Sequence, residues 1–111
     1  MIGDNSAREA RLHHEFREKA KEHAEAQGRA DYWDEWKKIV FSEIVNQQQD
    51  MAISKAEHIA RAHPEYRKAL KNAIEWGTKA NVLKAELKAI EMEFETWRTV
   101  ESTRRAEMSL R

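Results

Sequence analysis

With 111 residues, no Cys, three Gly and one Pro, the chain is one domain's worth of sequence. It excludes a disulfide scaffold, a thiol nucleophile, a Cys-ligated metal centre and a turn-rich β-sandwich. Only 19 residues are Leu, Ile, Val or Phe, but 20 Lys+Arg cancel 20 Asp+Glu and four Trp are present, so a small folded core is expected rather than disorder.

No apolar run approaches the roughly 20 residues that span a bilayer, and the polar opening is no signal peptide, so the expectation is an all-α, cytoplasmic protein. The first helix signal is Ser6-Ala7-Arg8-Glu9, the spacing of a capping box. It predicts a highly charged helix over 6–28, ending where Gly28 can adopt the left-handed conformation past a C-terminus. Its apolar stripe is thin: Leu12, Phe16, Ala20, His23 or Ala24, and Gln27. Five basic and five acidic residues between Arg8 and Glu25 sit where i,i+4 pairs form, each worth a few tenths of a kcal/mol.

Asp31 is the N-cap candidate of the next element. Tyr32, Trp33, Trp36, Ile39, Val40, Phe41, Ile44 and Val45 give it a broad apolar face at helical spacing. Asn46-Gln47-Gln48-Gln49-Asp50 is either a loop or a polar stretch of continuing helix. Ser54-Lys55-Ala56-Glu57 is a second capping-box candidate, opening a short helix through Ala62. Pro64 ends it, because proline disfavours helix at the residue before it and suits the first turn of a new helix.

From there the pattern is strongest. Tyr66, Ala69, Ala73, Trp76, Ala80, Leu83, Leu87, Ile90, Phe94 and Trp97 alternate 3-4-3-4, a seam of a/d type. A helix over 64–108 is roughly 65 Å long at 1.5 Å per residue. Gly77 is either a weakness of about 1 kcal/mol against Ala or a place of close helix approach. The seam of a helix of that length needs more cover than the second helix alone supplies: either the first two helices, over 6–28 and within 31–62, fold back along it, or another subunit's seam completes the core. The expected architecture is therefore a helical bundle or coiled-coil-like homo-oligomer, with Trp76, Leu83, Leu87, Ile90, Phe94 and Trp97 in its seam.

Sites for chemistry are sparse. The sequence has no Gly-rich phosphate loop and no nucleophile elbow, and none of its five His has a Glu three residues before it or another His four away. No metal, no cofactor and no enzymatic activity are expected. The distribution of charge says more. Residues 31–50 sum to −3, 55–72 to +3, 73–97 to −2 and 98–111 to +2. Basic residues beside Tyr66 and Trp97 suit phosphates and stacked bases, with Thr99, Ser102 and Thr103 as further hydrogen-bonding groups. Ordinary solvated helix surface is the alternative.

The stretch from Glu57 to Arg105 includes His63-Pro64-Glu65-Tyr66, a Lys/Leu-rich helix and Glu93-Phe94-Glu95-Thr96-Trp97-Arg98-Thr99. With the opening Met1-Ile2-Gly3-Asp4-Asn5, it resembles small phage-encoded helical recombination and replication accessory proteins of the UvsY-like mediator type. The resemblance implies a non-enzymatic oligomer that binds single-stranded DNA without sequence specificity and helps load a recombinase. It places the contacts on Arg67, Lys68, Lys71, Arg98, Arg104 and Arg105, and the protein in a host-cell cytoplasm. A different class of function is also open: a small protein-binding module, such as a phage inhibitor of a host defence protein or an assembly chaperone. In that reading Leu12 and Phe16 on the first helix are the anchors.

Overall fold

The computed structural model describes the backbone of residues 2–110 and the side chains of residues 6–110. The side chains of Met1-Ile2-Gly3-Asp4-Asn5, and Arg111, lie outside the described residues. Among the described residues the fold is all-α, with three helices: α1 (Ile2–Gln47), α2 (Ile53–Ala62) and α3 (Pro64–Ser109). The long C-terminal helix is present as expected. It is matched by a first helix of the same 46 residues, where two shorter ones were expected.

That difference comes from Gly28. It does not end α1, its φ is not positive, and the helix runs through it and through Asp31 without a cap. A mid-helix glycine costs about 1 kcal/mol, and burial on either side of it offsets that. Ala26 and Ala30 are 1% and 5% exposed. Ser6 likewise lies inside α1, not at its cap. The 31–46 and 54–62 segments are separate helices, broken over 48–52. Ser54 does not cap α2: Ala52 holds the N-cap position without a side-chain bond, and its carbonyl accepts from the Lys55 and Ala56 amides. Pro64 acts as expected. His63 is extended between α2 and α3, and its Nδ1 accepts the Glu65 amide at 3.1 Å, capping the start of α3.

The helices form two compact units: Met1–His23 with Val82–Arg111, and Ala24–Asn81. In the first, a two-helix unit, Lys19 meets Glu86 and His13 meets Phe94, so α1 and α3 are antiparallel. Leu12, Leu83 and Ile90 are buried there, with Phe16, Leu87, Phe94 and Trp97 half-buried. In the second, a three-helix unit, α2 joins the antiparallel pair. Val40, Ile44 and Ala60 form its core cluster, with Phe41, Val45, Ile59 and Tyr66 against it. Ala69, Ala73 and Ala80 are buried from α3 and Trp76 is half-buried.

Every position of the α3 seam is thus buried or half-buried. α1 supplies a matching 3-4 seam: Leu12, Phe16, Lys19, His23, Ala26, Ala30, Trp33, Lys37, Val40, Ile44. The first of the two expected arrangements is the one seen: α1 runs back along α3 within each unit, so the seam itself calls for no second subunit. Leu12 is buried in the core, while Phe16 is half-buried and borders an open hollow. Tyr32, Trp36 and Ile39, expected in the core face, point outward, because the 3-4 phase selects Trp33, Lys37 and Val40 instead. Gly77 is not a close approach, since a Cβ there would meet nothing within 4 Å.

Candidate nucleic-acid interface

In the three-helix unit, packing Phe41 against Tyr66 (ring centroids 5.6 Å apart, tilted 57°) brings α1 beside the α2–α3 junction. Two shallow hollows result. One, of about 340 Å³, is lined by Lys37, Lys38, Phe41, Ser42, Arg61 and Tyr66. The other, of about 590 Å³, is lined by Arg61, Tyr66, Arg67, Leu70, Lys71, Ile74 and Glu75. They share Arg61 and Tyr66, so five cations from three helices border one continuous aromatic surface.

The cations differ in how they are held. Lys37 lies 3.3 Å from Asp34, Lys38 3.2 Å from Glu35 and Arg61 3.4 Å from Glu57, while Lys71 reaches Glu75 at 4.0 Å. The Arg61 guanidinium also stands over the Phe41 ring, 5.6 Å from its centroid. Arg67 has no carboxylate within 4 Å among the described residues. Exposed pairs of this kind contribute about 0–1 kcal/mol, so a phosphate can displace a carboxylate at little cost. The surface offers unsaturated positive charge at Arg67, exchangeable charge at the other four, and an aromatic floor.

The residues singled out from sequence divide. Arg67 and Lys71, four apart on α3, line one hollow together; Lys68 is exposed but borders neither. Arg98, Arg104 and Arg105 belong to the two-helix unit. Arg98 borders a hollow of about 280 Å³ with His13, Phe16, Glu91, Phe94 and Glu95. Arg104 is paired with Glu101 at 3.0 Å, and the Arg105 carbonyl accepts the Ser109 hydroxyl. Thr99 donates to the Glu95 carbonyl at 2.9 Å, which occupies its hydroxyl hydrogen. Trp97 is half-buried, with its Nε1 buried and without a hydrogen-bond acceptor among the described residues.

Sequence reading missed Lys37, Lys38 and Arg61. The two lysines lie in a segment of net charge −3, which hides them in any sum along the chain. Only the fold sets them next to Arg61. Among the described residues no three His, Asp or Glu side chains converge on a point that could hold a metal ion, and no helix is long and apolar enough to cross a membrane. No protein-family model matches the chain, and neither curated proteins nor solved structures show a match to it.

Proposed function

We propose that this protein is a non-enzymatic accessory of DNA recombination or replication that binds single-stranded nucleic acid. The binding face is the basic, aromatic surface of the three-helix unit. The observation that carries the reading is the juxtaposition of Lys37, Lys38, Arg61, Arg67 and Lys71 around Phe41 and Tyr66. Cations grip the sugar-phosphate backbone without reading sequence, and a half-buried aromatic floor favours unpaired bases, which alone expose their faces. The resemblance to phage recombination mediators supports the same reading. Self-association would multiply a weak grip by avidity, but each chain carries a whole face of its own.

Fluorescence anisotropy of a labelled oligothymidine, titrated across salt, tests it. Binding is expected to weaken as salt rises, with a log–log slope of about 0.7 per phosphate neutralised. Arg67→Glu with Lys71→Glu is expected to lower affinity roughly tenfold or more and to flatten that slope, since each lost charge-assisted contact is worth about 1.5–3 kcal/mol. Reversing Arg98, Arg104 and Arg105 is expected to do less. Absence of binding at low salt, or an unchanged affinity in the double variant, rejects the reading.

A further inference from the structure

The larger hollow of the basic face is built from two parallel rows on α3. Tyr66, Leu70 and Ile74 stand four apart, and so do Arg67, Lys71 and Glu75, each one residue further on. The first row is an apolar floor, and Ile74 at its far end is 59% exposed. The second is a polar edge, positive at Arg67 and Lys71 and negative at Glu75. From Arg67 to Glu75 the helix rises about 12 Å at 1.5 Å per residue. A nucleotide laid along the floor with its phosphate at Arg67 therefore brings the edge of its base toward Glu75.

Glu75 is the one carboxylate among the residues that line this hollow. Its cation partner is Lys71, at 4.0 Å, with the two side chains 75% and 60% exposed. A pair so long and so exposed holds neither member firmly. Once Lys71 turns to a phosphate, Glu75 stands beside the floor as a bare acceptor with two oxygens side by side. An ionised carboxylate only accepts hydrogen bonds, and it accepts two parallel N–H groups best. Guanine alone offers two neighbouring N–H donors on its Watson–Crick edge, N1–H and the 2-amino group. Adenine and cytosine each set an acceptor beside their amino group, and thymine flanks its single N–H with two carbonyls. Unpaired bases leave these edges open to a protein.

We infer that this hollow prefers guanine among unpaired bases, with Glu75 as the specificity-determining residue. The inference rests on the nucleic-acid reading and adds a base preference to a grip that otherwise ignores sequence.

Fluorescence anisotropy with thymidine tracts in which every third base is guanine, hypoxanthine, adenine or cytosine, read against plain oligothymidine, tests it. The guanine tract is expected to bind at least about fivefold tighter than the adenine, cytosine and plain tracts, the low end for a bidentate base contact. Hypoxanthine keeps N1–H but lacks the 2-amino group, and its tract is expected to lose most of that advantage. Glu75→Gln keeps one acceptor and turns the other oxygen into a donor that meets a guanine N–H. It is expected to erase the guanine preference while binding plain oligothymidine as tightly as the parent chain or tighter. A carboxylate acting through charge alone would shift all the tracts together. Equal binding of all tracts by the parent chain, equal binding of the guanine and hypoxanthine tracts, or a guanine preference that survives in Glu75→Gln overturns this inference and leaves the nucleic-acid reading standing. No binding of any tract rejects that reading and the inference with it.

Discussion

Among the described residues the three-helix unit buries Ala26, Ala30, Val40, Ile44, Ala56, Ala60, Ala69, Ala73 and Ala80, whereas the two-helix unit buries Leu12, Leu83 and Ile90 to a comparable degree. The small side chains of the first let α2 come close, so apolar surface is covered from two directions. With α1 and α3 alone, the second can close a single row. Among the described residues it relies on the half-buried Phe16, Leu87, Phe94 and Trp97, with the Lys19–Glu86 ion pair joining the two helices. Its Trp97 Nε1 is also buried without an acceptor among the described residues, and such a group costs about 1–3 kcal/mol when left unpaired. Local stability follows buried apolar contact, so the unit that holds the proposed binding face is the firmer one.

The comparison is tested most severely by matched truncations. Ile44 and Ile90 are both buried, at 5% and 8% exposure, and Ile→Ala in a core costs about 2–5 kcal/mol. Hydrogen exchange followed residue by residue is expected to separate them. Ile90→Ala should speed exchange in residues 6–23 and 82–110 and leave 24–81 protected. Ile44→Ala should lower protection in 24–81, which exchange at the global limit, and change the already faster exchange of 6–23 and 82–110 little. Equal and uniform losses from the two variants would show a single cooperative body and dissolve the distinction.

A smaller effect is expected at the α2–α3 junction. His63→Ala removes the acceptor of the Glu65 amide, a cap worth about 0.5–2 kcal/mol. The same change loosens the placing of Tyr66, three residues on, against Phe41. Melting temperature should fall by a few degrees, and oligothymidine affinity should fall with it. His63→Asn, which restores an acceptor, should recover both. A loss of stability with unchanged affinity would separate the cap from the binding face.

The α3 seam was readable from the sequence because every one of its ten positions is apolar, so period and identity agree. The α1 seam was hidden because Lys19, His23 and Lys37 occupy seam positions. Each lysine lays its aliphatic stem inward and keeps its ammonium at the edge, with side-chain exposures of 37% for Lys19 and 24% for Lys37. A pattern scored on residue type counts them as breaks. Gly28 then reads as a stop, when flanking buried alanines carry the helix across it. The binding face was half legible. Arg61, Arg67 and Lys71 share a net-positive stretch, but Lys37 and Lys38 join them only through tertiary contact.

The least of the expected effects concerns the ion pair that ties the two-helix unit together. Lys19 Nζ stands 2.9 Å from Glu86 Oε2. The hydrogen bond to Glu86 raises the Lys19 pKa above its ordinary 10.5, the charge of Glu86 adds to this, and partial desolvation works against it. The folded chain therefore holds this proton more tightly than the unfolded chain does. The stability it lends is complete below 10.5 and fades as the pH climbs through the raised folded value. The side chains are 37% and 42% exposed, although Glu86 Oε2 itself is covered, so the contribution is small and screened by salt. Glu86→Gln should lower the melting temperature slightly at neutral pH and low salt. The gap from the parent chain should close as the pH passes 10.5 or as salt is added. A gap that persists under both conditions would mean that Glu86 acts through packing of its stem and not through its charge, and the two-helix unit would then be held by apolar contact alone.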